Sequence, residues 1–306
     1  MDRSGANTPL RLAAIDIGTN TCLMLIGELD GSGQFNIIRD EHAIVRLGEN
    51  VDSLRRITDE AYSRLASTLT KYRGIINELQ ITDIAACGTS ALRDALNRDE
   101  ILVRVKSDFD IHISIIEGNR EAELTYLGAT FDLPPVEGLT AVIDIGGGST
   151  EVAFGENTEY KYGKSIDIGA VRLTEQGLNA TNSIRSLLQT TFADIESPAR
   201  VIAVAGTPTT LAAMKLGLME FDREKVNHCK LTLEEVKAYF DILTTQPQET
   251  ILEIYPVIPP GRVDILPAGA AILLEAMKFL KVENVNVSTG GLRYGIALDA
   301  LATLSG

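Results

Sequence analysis

The chain has 306 residues, 45% hydrophobic and 23% charged, with a formal net charge of −14, values typical of a globular protein with room for two domains. The acidic balance excludes nonspecific nucleic-acid binding through a broad basic surface, so an anionic ligand would have to be held by backbone donors, a few arginines and a divalent cation. No run reaches the roughly 18 apolar residues of a membrane span, Met1–Pro9 does not read as a secretory leader, and scattered Cys22, Cys87 and Cys229 fit a reduced, cytoplasmic setting.

Strand-like runs come first, at Leu12–Ile17, Thr21–Leu29 and Phe35–Val45. A helix with an apolar face follows over Thr58–Leu79, then strands at Ile81–Cys87 and Ile111–Ile115, and a shorter helix over Asn119–Ala129. The segment "DLPPVEG" at Asp132–Gly138 reads as a linker, because two prolines interrupt both strand and helix. The same order then begins again. Strands are predicted at Leu139–Ile145, Thr150–Phe154 and Glu159–Ile166, a helix over Ser183–Ile195, a strand at Arg200–Ala205 and a helix over Thr207–Leu216. "TLEE" at Thr232–Glu235 is a capping box that starts a further helix. Asp264–Phe279 is apolar almost all round and reads as a buried helix, followed by a short strand at Asn284–Val287 and a last helix over Leu292–Leu304. This is an α/β plan with mixed sheets covered by helices.

Ala13–Glu28, "AAIDIGTNTCLMLIGE", and Ala141–Glu156, "AVIDIGGGSTEVAFGE", align without a gap and share seven of sixteen residues, with Asp16 and Asp144 standing 128 positions apart. Each copy reads as strand, glycine turn, strand, the pattern of a β-hairpin, and two copies in register indicate a duplicated domain. Glycines at Gly18 and Gly146–Gly148 let successive amides form an anion-binding concavity. Thr19, Asn20, Thr21, Ser149 and Thr150 add side-chain donors. Asp16 and Asp144 either brace their own turns or reach a phosphate through Mg²⁺ held by oxygens and water. Two further glycine turns, at Gly206-Thr207 and in "STGGLRYG" at Ser288–Gly295, are weak signals singly. His42, His112 and His228 have no zinc-ligand spacing.

Taken in order, "AAIDIGTNT", "RLGENVD", "CGTSALRDA", "EGNREAELTYLGA", "VIDIGGGSTEV", "AVAGTPTTLAA" and "STGGLRYGIAL" resemble the exopolyphosphatase/guanosine pentaphosphate phosphohydrolase family of the actin-like, sugar kinase and Hsp70 superfamily, in its short two-domain form. The resemblance implies two duplicated actin-like (ribonuclease H-like) domains, 1–132 and 133–291, the first completed by the C-terminal helix 292–306, with the two hairpins as phosphate loops across an interdomain cleft. It also implies Mg²⁺ as cofactor, inorganic polyphosphate as substrate with guanosine pentaphosphate (giving tetraphosphate) as a related one, and a homodimer without nucleic-acid or membrane partners.

Residue by residue, the G-x-x-E-A motif at Gly118–Ala122 makes Glu121 the base for water, whereas the residues alone allow it merely to complement its helix dipole. Glu151, aligned with Leu23 of the first copy, would help catalysis and the metal beside Asp144; its bland reading is an exposed strand residue. Arg93 resembles a family arginine that grips phosphate, the alternative being a salt bridge to Asp94 or Asp99. The remaining substrate contacts are Asp16, Gly18, Thr19, Asn20, Thr21, Gly146, Gly147, Gly148, Ser149, Thr150, Gly206 and Thr207. Glu123 reads as surface and Arg293 as structural. Two other classes compete with a Mg²⁺-dependent phosphoanhydride hydrolase. One is an ATP-dependent kinase of the same superfamily, the other a non-catalytic alarmone or polyphosphate sensor.

Overall fold

In the computed structural model, which describes residues 9–178, 181–192 and 196–305, three antiparallel strands open the chain: β1 (Leu10–Ile17), β2 (Thr21–Leu29) and β3 (Phe35–Ile44). The short α1 (Val51–Leu54) and long α2 (Asp59–Glu78) follow, then β4 (Asp83–Gly88), α3 (Ser90–Asp94), α4 (Arg98–Phe109) and β5 (Ile113–Ile115). Thr58 caps α2 by accepting from the Ala61 amide, and Leu65, Leu69, Tyr72 and Ile76 form its buried stripe. The sheet order is β3-β2-β1-β4-β5, antiparallel up to β1 and parallel beyond it. One face, through Ala13, Ile15, Ile17, Met24 and Ile26, packs with α2 into a core.

The second half starts with α5 (Gly118–Thr130), β6 (Thr140–Ile145), β7 (Thr150–Glu156), β8 (Glu159–Ile166), α6 (Ala170–Gln176), α7 (Thr181–Thr191), β9 (Arg200–Val204) and α8 (Gly206–Lys215). It continues through α9 (Arg223–Val226), β10 (Lys230–Thr232), α10 (Leu233–Thr245), α11 (Gln248–Ile254), α12 (Pro260–Val263), α13 (Leu266–Leu280), β11 (Asn284–Val287) and α14 (Leu292–Ser305). The capping box forms as expected: Thr232 accepts from the Glu235 amide while Glu235 accepts from the Thr232 amide. The helix expected over Ser183–Ile195 is α7, and the expected positions 193–195 lie outside the described residues.

Its sheet runs β8-β7-β6-β9-β11, with β10 added beyond. That is the order of the first sheet plus one strand. The duplication extends to register. Asp16 pairs with Leu23 on β1–β2 and Asp144 with Glu151 on β6–β7; both pairs shift by the same 128 residues. An irregularity falls between Ile26 and Gly27 in one hairpin and between Phe154 and Gly155 in the other. A side chain at Gly27 would strike the Phe35 ring at 2.4 Å, and one at Gly155 the Tyr126 ring at 2.5 Å.

The compact units are Met1–Ile116 with Leu292–Gly306, and Glu117–Gly291. The division therefore falls before α5, whereas the proline-containing linker at Asp132–Gly138 marked the boundary in the sequence. That linker does separate the two repeats, but each repeat ends in a helix that packs on the sheet of the other: α5 lies on β6–β8, and α14 on β1 and β2. For α5 the cause is visible in the side chains. Ala122, Tyr126 and Ala129 pack with Val142, Ala153, Ile202 and Val204 of the second sheet. For α14, Arg293 clasps Asp40 of β3 with two hydrogen bonds of 2.9 Å, and the Tyr294 hydroxyl donates to the same carboxylate at 3.1 Å. Arg293 is thus a structural residue of the first unit.

Candidate active site

Within the second unit, strand pairing sets four residues in a row across the sheet. Val204 of β9 pairs with Asp144, Asp144 with Glu151, and Glu151 with Ser165 of β8. Directly opposed residues share a face of the sheet, so the two carboxylates become close neighbours. The helix α5 covers this face and brings Glu121 and Thr125 to it. Thr125 Oγ1 donates to Asp144 Oδ2 at 3.2 Å, and Ser165 Oγ donates to Glu151 Oε1 at 2.6 Å. The close seat of α5 depends on two glycines. A side chain at Gly118 would lie 2.4 Å from Ser165 Cβ, and one at Gly163 would lie 3.2 Å from Ala122 Cβ of α5.

Glu121 is 6% exposed, Asp144 8% and Glu151 1%, which removes the exposed-strand reading of Glu151. Burial, first, and then the charges of Glu121 and Asp144 push the Glu151 carboxyl well above the usual carboxylate range, against the opposing pull of hydrogen bonds from Ser165 and Ser149. A fold does not gather buried like charges for its own stability. Such a perturbed cluster is what a site for a cation or an activated water requires. Glu123, on the far side of the same helix, is 44% exposed at its side chain and pairs with Arg120; it is a surface residue, as its sequence position indicated.

The second hairpin turn lies one residue pair beyond Asp144 and Glu151, where β6 passes into β7. The Gly146 amide donates to Ser149 O at 3.0 Å, closing the turn. The carbonyls of Gly146 and Gly147 accept from the amides of Ala170, Val171 and Arg172 at the start of α6, and Arg172 Nε donates to Gly148 O at 2.8 Å. A trans peptide points its N–H opposite to its C=O. Three pinned carbonyls therefore turn the amides of Gly147, Gly148 and Ser149 the other way, as a nest of donors for an anion. Thr150, by contrast, is fully buried and donates its hydroxyl to Ile168 O at 2.6 Å, so it has no proton to offer a phosphate.

The first hairpin, in the other unit, repeats the device with different braces. The Gly18 amide donates to Thr21 O at 2.9 Å; Thr19 O accepts from Gly48, and Asn20 O accepts from Val45 and Arg46, all at 2.9 Å. The amides of Asn20 and Thr21 face away by the same peptide geometry. Arg64 of α2 stiffens the bracing segment through Val45 O (2.7 Å), Arg46 O (2.9 Å) and Glu49 (2.9 Å). Among the described residues, Thr19 Oγ1 and Asn20 Oδ1 are buried with no hydrogen-bond partner, an uncommon state for buried polar atoms. Asp16, half-buried in the same turn, faces Leu23 rather than a second acid. Arg93, half-buried at the end of α3, donates Nη1 to Ile116 O at 2.8 Å, beside the connection that leads into α5.

At the third glycine turn, Ala205 adopts φ 75° and ψ −169°, a backbone region strained for any residue but glycine. The guanidinium of Arg262 lies against Gly206, where an added Cβ would sit 2.8 Å from its central carbon, and Arg262 Nη1 donates to Thr210 Oγ1 at 3.1 Å. Burial lowers the Arg262 pKa to about 10. Thr207 is buried against Gly269 of α13. Sequence reasoning missed Thr125, Ser165, Arg172, Arg64 and Arg262. The one signal available was Arg262, a lone cation in the apolar run that leads into α13.

Among the described residues, no three His, Cys, Asp or Glu side chains form a ready-made metal cage. The donors nevertheless suit Mg²⁺, which keeps several waters and takes one or two carboxylates together with substrate phosphate. Asp144 and Glu151 supply that minimal set, and their mutual repulsion would be relieved by a cation. Cys22, Cys87 and Cys229 form no disulfide, and among the described residues no helix is long and apolar enough to cross a membrane.

Duplicated sheets of one order, each with a hairpin that turns its amides outward, define an actin-like protein whose second unit sets a carboxylate cluster beside an anion nest. Residues 27–304 match the Ppx/GppA phosphatase family, and the chain belongs to that family. It is 29% identical over 314 residues to exopolyphosphatase 2 of Mycobacterium tuberculosis, covering 94% of this chain and 98% of the relative. It is 27% identical to the guanosine-5'-triphosphate,3'-diphosphate pyrophosphatase of Vibrio atlanticus, covering 95% of this chain and 59% of that protein. The solved exopolyphosphatase of Cytophaga hutchinsonii superimposes with a TM-score of 0.84 at 26% identity, over 96% of this chain and 98% of that one.

Proposed function

We propose that the protein is an exopolyphosphatase that removes terminal phosphate from inorganic polyphosphate, with guanosine pentaphosphate as a second substrate. The observation that supports this most is the buried cluster of Glu121, Asp144 and Glu151 placed next to the amides of Gly147–Ser149. Phosphoryl transfer to water needs little covalent chemistry and depends on positioning and charge neutralisation. In this reading the two hairpin turns hold phosphate oxygens by their amides, and Arg93 adds a guanidinium. Glu121 orients the attacking water and takes its proton. Asp144, held by Thr125, and Glu151, held by Ser165 and Ser149, are the residues that would hold Mg²⁺. When bound, Mg²⁺ neutralises charge on the phosphate chain.

A sensor that only binds has no use for three buried acids, whose mutual repulsion weakens its fold. A kinase requires an acceptor. Phosphate release without any acceptor, from polyphosphates of graded length beside guanosine pentaphosphate, with and without Mg²⁺, tests all three readings. Release dependent on Mg²⁺ is the expected result; release only with an added acceptor would establish a kinase, and binding without turnover a sensor. A homodimer in the cytoplasm belongs to the same proposal on family resemblance, and light scattering on the purified chain would check the dimer.

A further inference from the structure

Ser165 touches Glu151 and the start of the helix that carries Glu121. Its Oγ donates to Glu151 Oε1 at 2.6 Å, and its Cβ underlies Gly118, three residues ahead of Glu121 on the first turns of α5. It is the direct cross-strand partner of Glu151, so the bond needs no reach across the sheet. In the first repeat the matching row reads Cys87, Asp16, Leu23 and His42. There the position of Glu151 is apolar, and the pairing offers no carboxylate for a hydroxyl to hold. The Ser–Glu pair thus exists only in the unit that carries the other acids.

We propose that Ser165 is a positioning residue for the hydrolytic reaction: its hydroxyl holds one oxygen of Glu151 so that the other is directed at the water and cation that the cluster serves. This rests on the reading of Glu151 as an active-site carboxylate. Two other acids repel Glu151, and a carboxylate under such repulsion swings away unless a donor holds it. Ser149 also bonds Glu151, but it belongs to the turn whose amides form the anion nest. Ser165 sits on a paired strand beneath a helix, so it is the fixed end of the arrangement. The close packing at Gly118 links the same side chain to the helix that presents Glu121, so that one residue sets the spacing of both acids.

The test is Ser165→Ala in the full chain, with Ser165→Cys as a variant that retains a weak donor. A hydrogen bond to a charged group and sub-ångström placement together predict a loss of about 10–100-fold in kcat, with KM for polyphosphate within about threefold of wild type, since the phosphate turns are untouched. The Mg²⁺ concentration that half-saturates the thermal shift of the protein, a readout independent of turnover, should rise. Ser165→Cys should fall between alanine and wild type. In a Glu151→Gln background, Ser165→Ala should add less than about twofold to either readout, because the interaction it serves has already been altered. Wild-type kcat and Mg²⁺ half-saturation in Ser165→Ala would overturn the proposal, as would an equal loss in both backgrounds. A Glu151→Gln enzyme that keeps full turnover would instead sink the underlying reading of the site.

Discussion

Replacing Glu151 by Gln should make the metal-free protein more stable at neutral pH while removing most of its activity. The side chain is 1% exposed, and its carboxyl is raised by burial, by Glu121 and by Asp144. In the unfolded chain the same group titrates near the ordinary glutamate value of about 4.3. A carboxyl whose folded pKa lies above its unfolded one contributes stability that is fully present below the unfolded value and lost as pH rises toward the folded one. At pH 7 the wild type therefore carries the unfavourable charge or the cost of keeping it protonated, and the amide carries neither. Gln keeps an oxygen to accept from Ser165, so the exchange leaves little unsatisfied. Removing one destabilising functional group gives about 1–2 kcal/mol, or a Tm rise of a few degrees for a protein of this size. The assay is thermal unfolding in EDTA from pH 5 to pH 8. The gap between variant and wild type should widen as pH rises, and saturating Mg²⁺ should narrow it by stabilising the wild type. A gap that stays constant across that range, or a variant less stable at pH 7, would refute the argument that Glu151 is held against charge repulsion.

Glu121→Gln should lose on the order of 10²–10⁴-fold in turnover, the usual share of general base catalysis, with polyphosphate binding retained; near-normal turnover in a phosphate-release assay would remove it from the mechanism. Asp144→Ala should raise the Mg²⁺ concentration required for activity or abolish activity with the fold intact by circular dichroism, and an unchanged Mg²⁺ titration would reduce Asp144 to a turn brace. Asp40→Ala strands the Arg293 guanidinium, which loses a two-bond carboxylate partner, and should destabilise the first unit by about 2–4 kcal/mol. Hydrogen exchange should show that loss in β1–β3 and α14, and exchange that rises equally in the second unit would contradict the assignment.

Local features of the chain were enough to define both hairpins and their 128-residue offset, because turn glycines and alternating apolar residues act over a few neighbours, whereas Glu121 was singled out only by the resemblance to the family. Strand lengths came close for the same reason; Phe35–Val45 became Phe35–Ile44, and Asn284–Val287 matched outright. The helix over Arg98–Phe109 was not anticipated. It buries only Ile101 and Val105 under a charged surface, so its periodic signal is thin. What the chain could not disclose was partnership. Glu151 and Ser165 are 14 residues apart and Thr125 and Asp144 are 19, and no pattern in the sequence says which hydroxyl meets which acid until the strand order and the seat of α5 are known. The pinned carbonyls are similar: glycine turns promised amides for an anion, but Arg172 and the segment Val45–Gly48 decide which way those amides face. The exchange of α5 and α14 between repeats is the clearest case. Both helices are apolar enough to pack on either sheet, and the choice rests on side-chain fit at Gly118 and Gly163 for one and the Arg293–Asp40 pair for the other, contacts that exist only once the whole chain has folded.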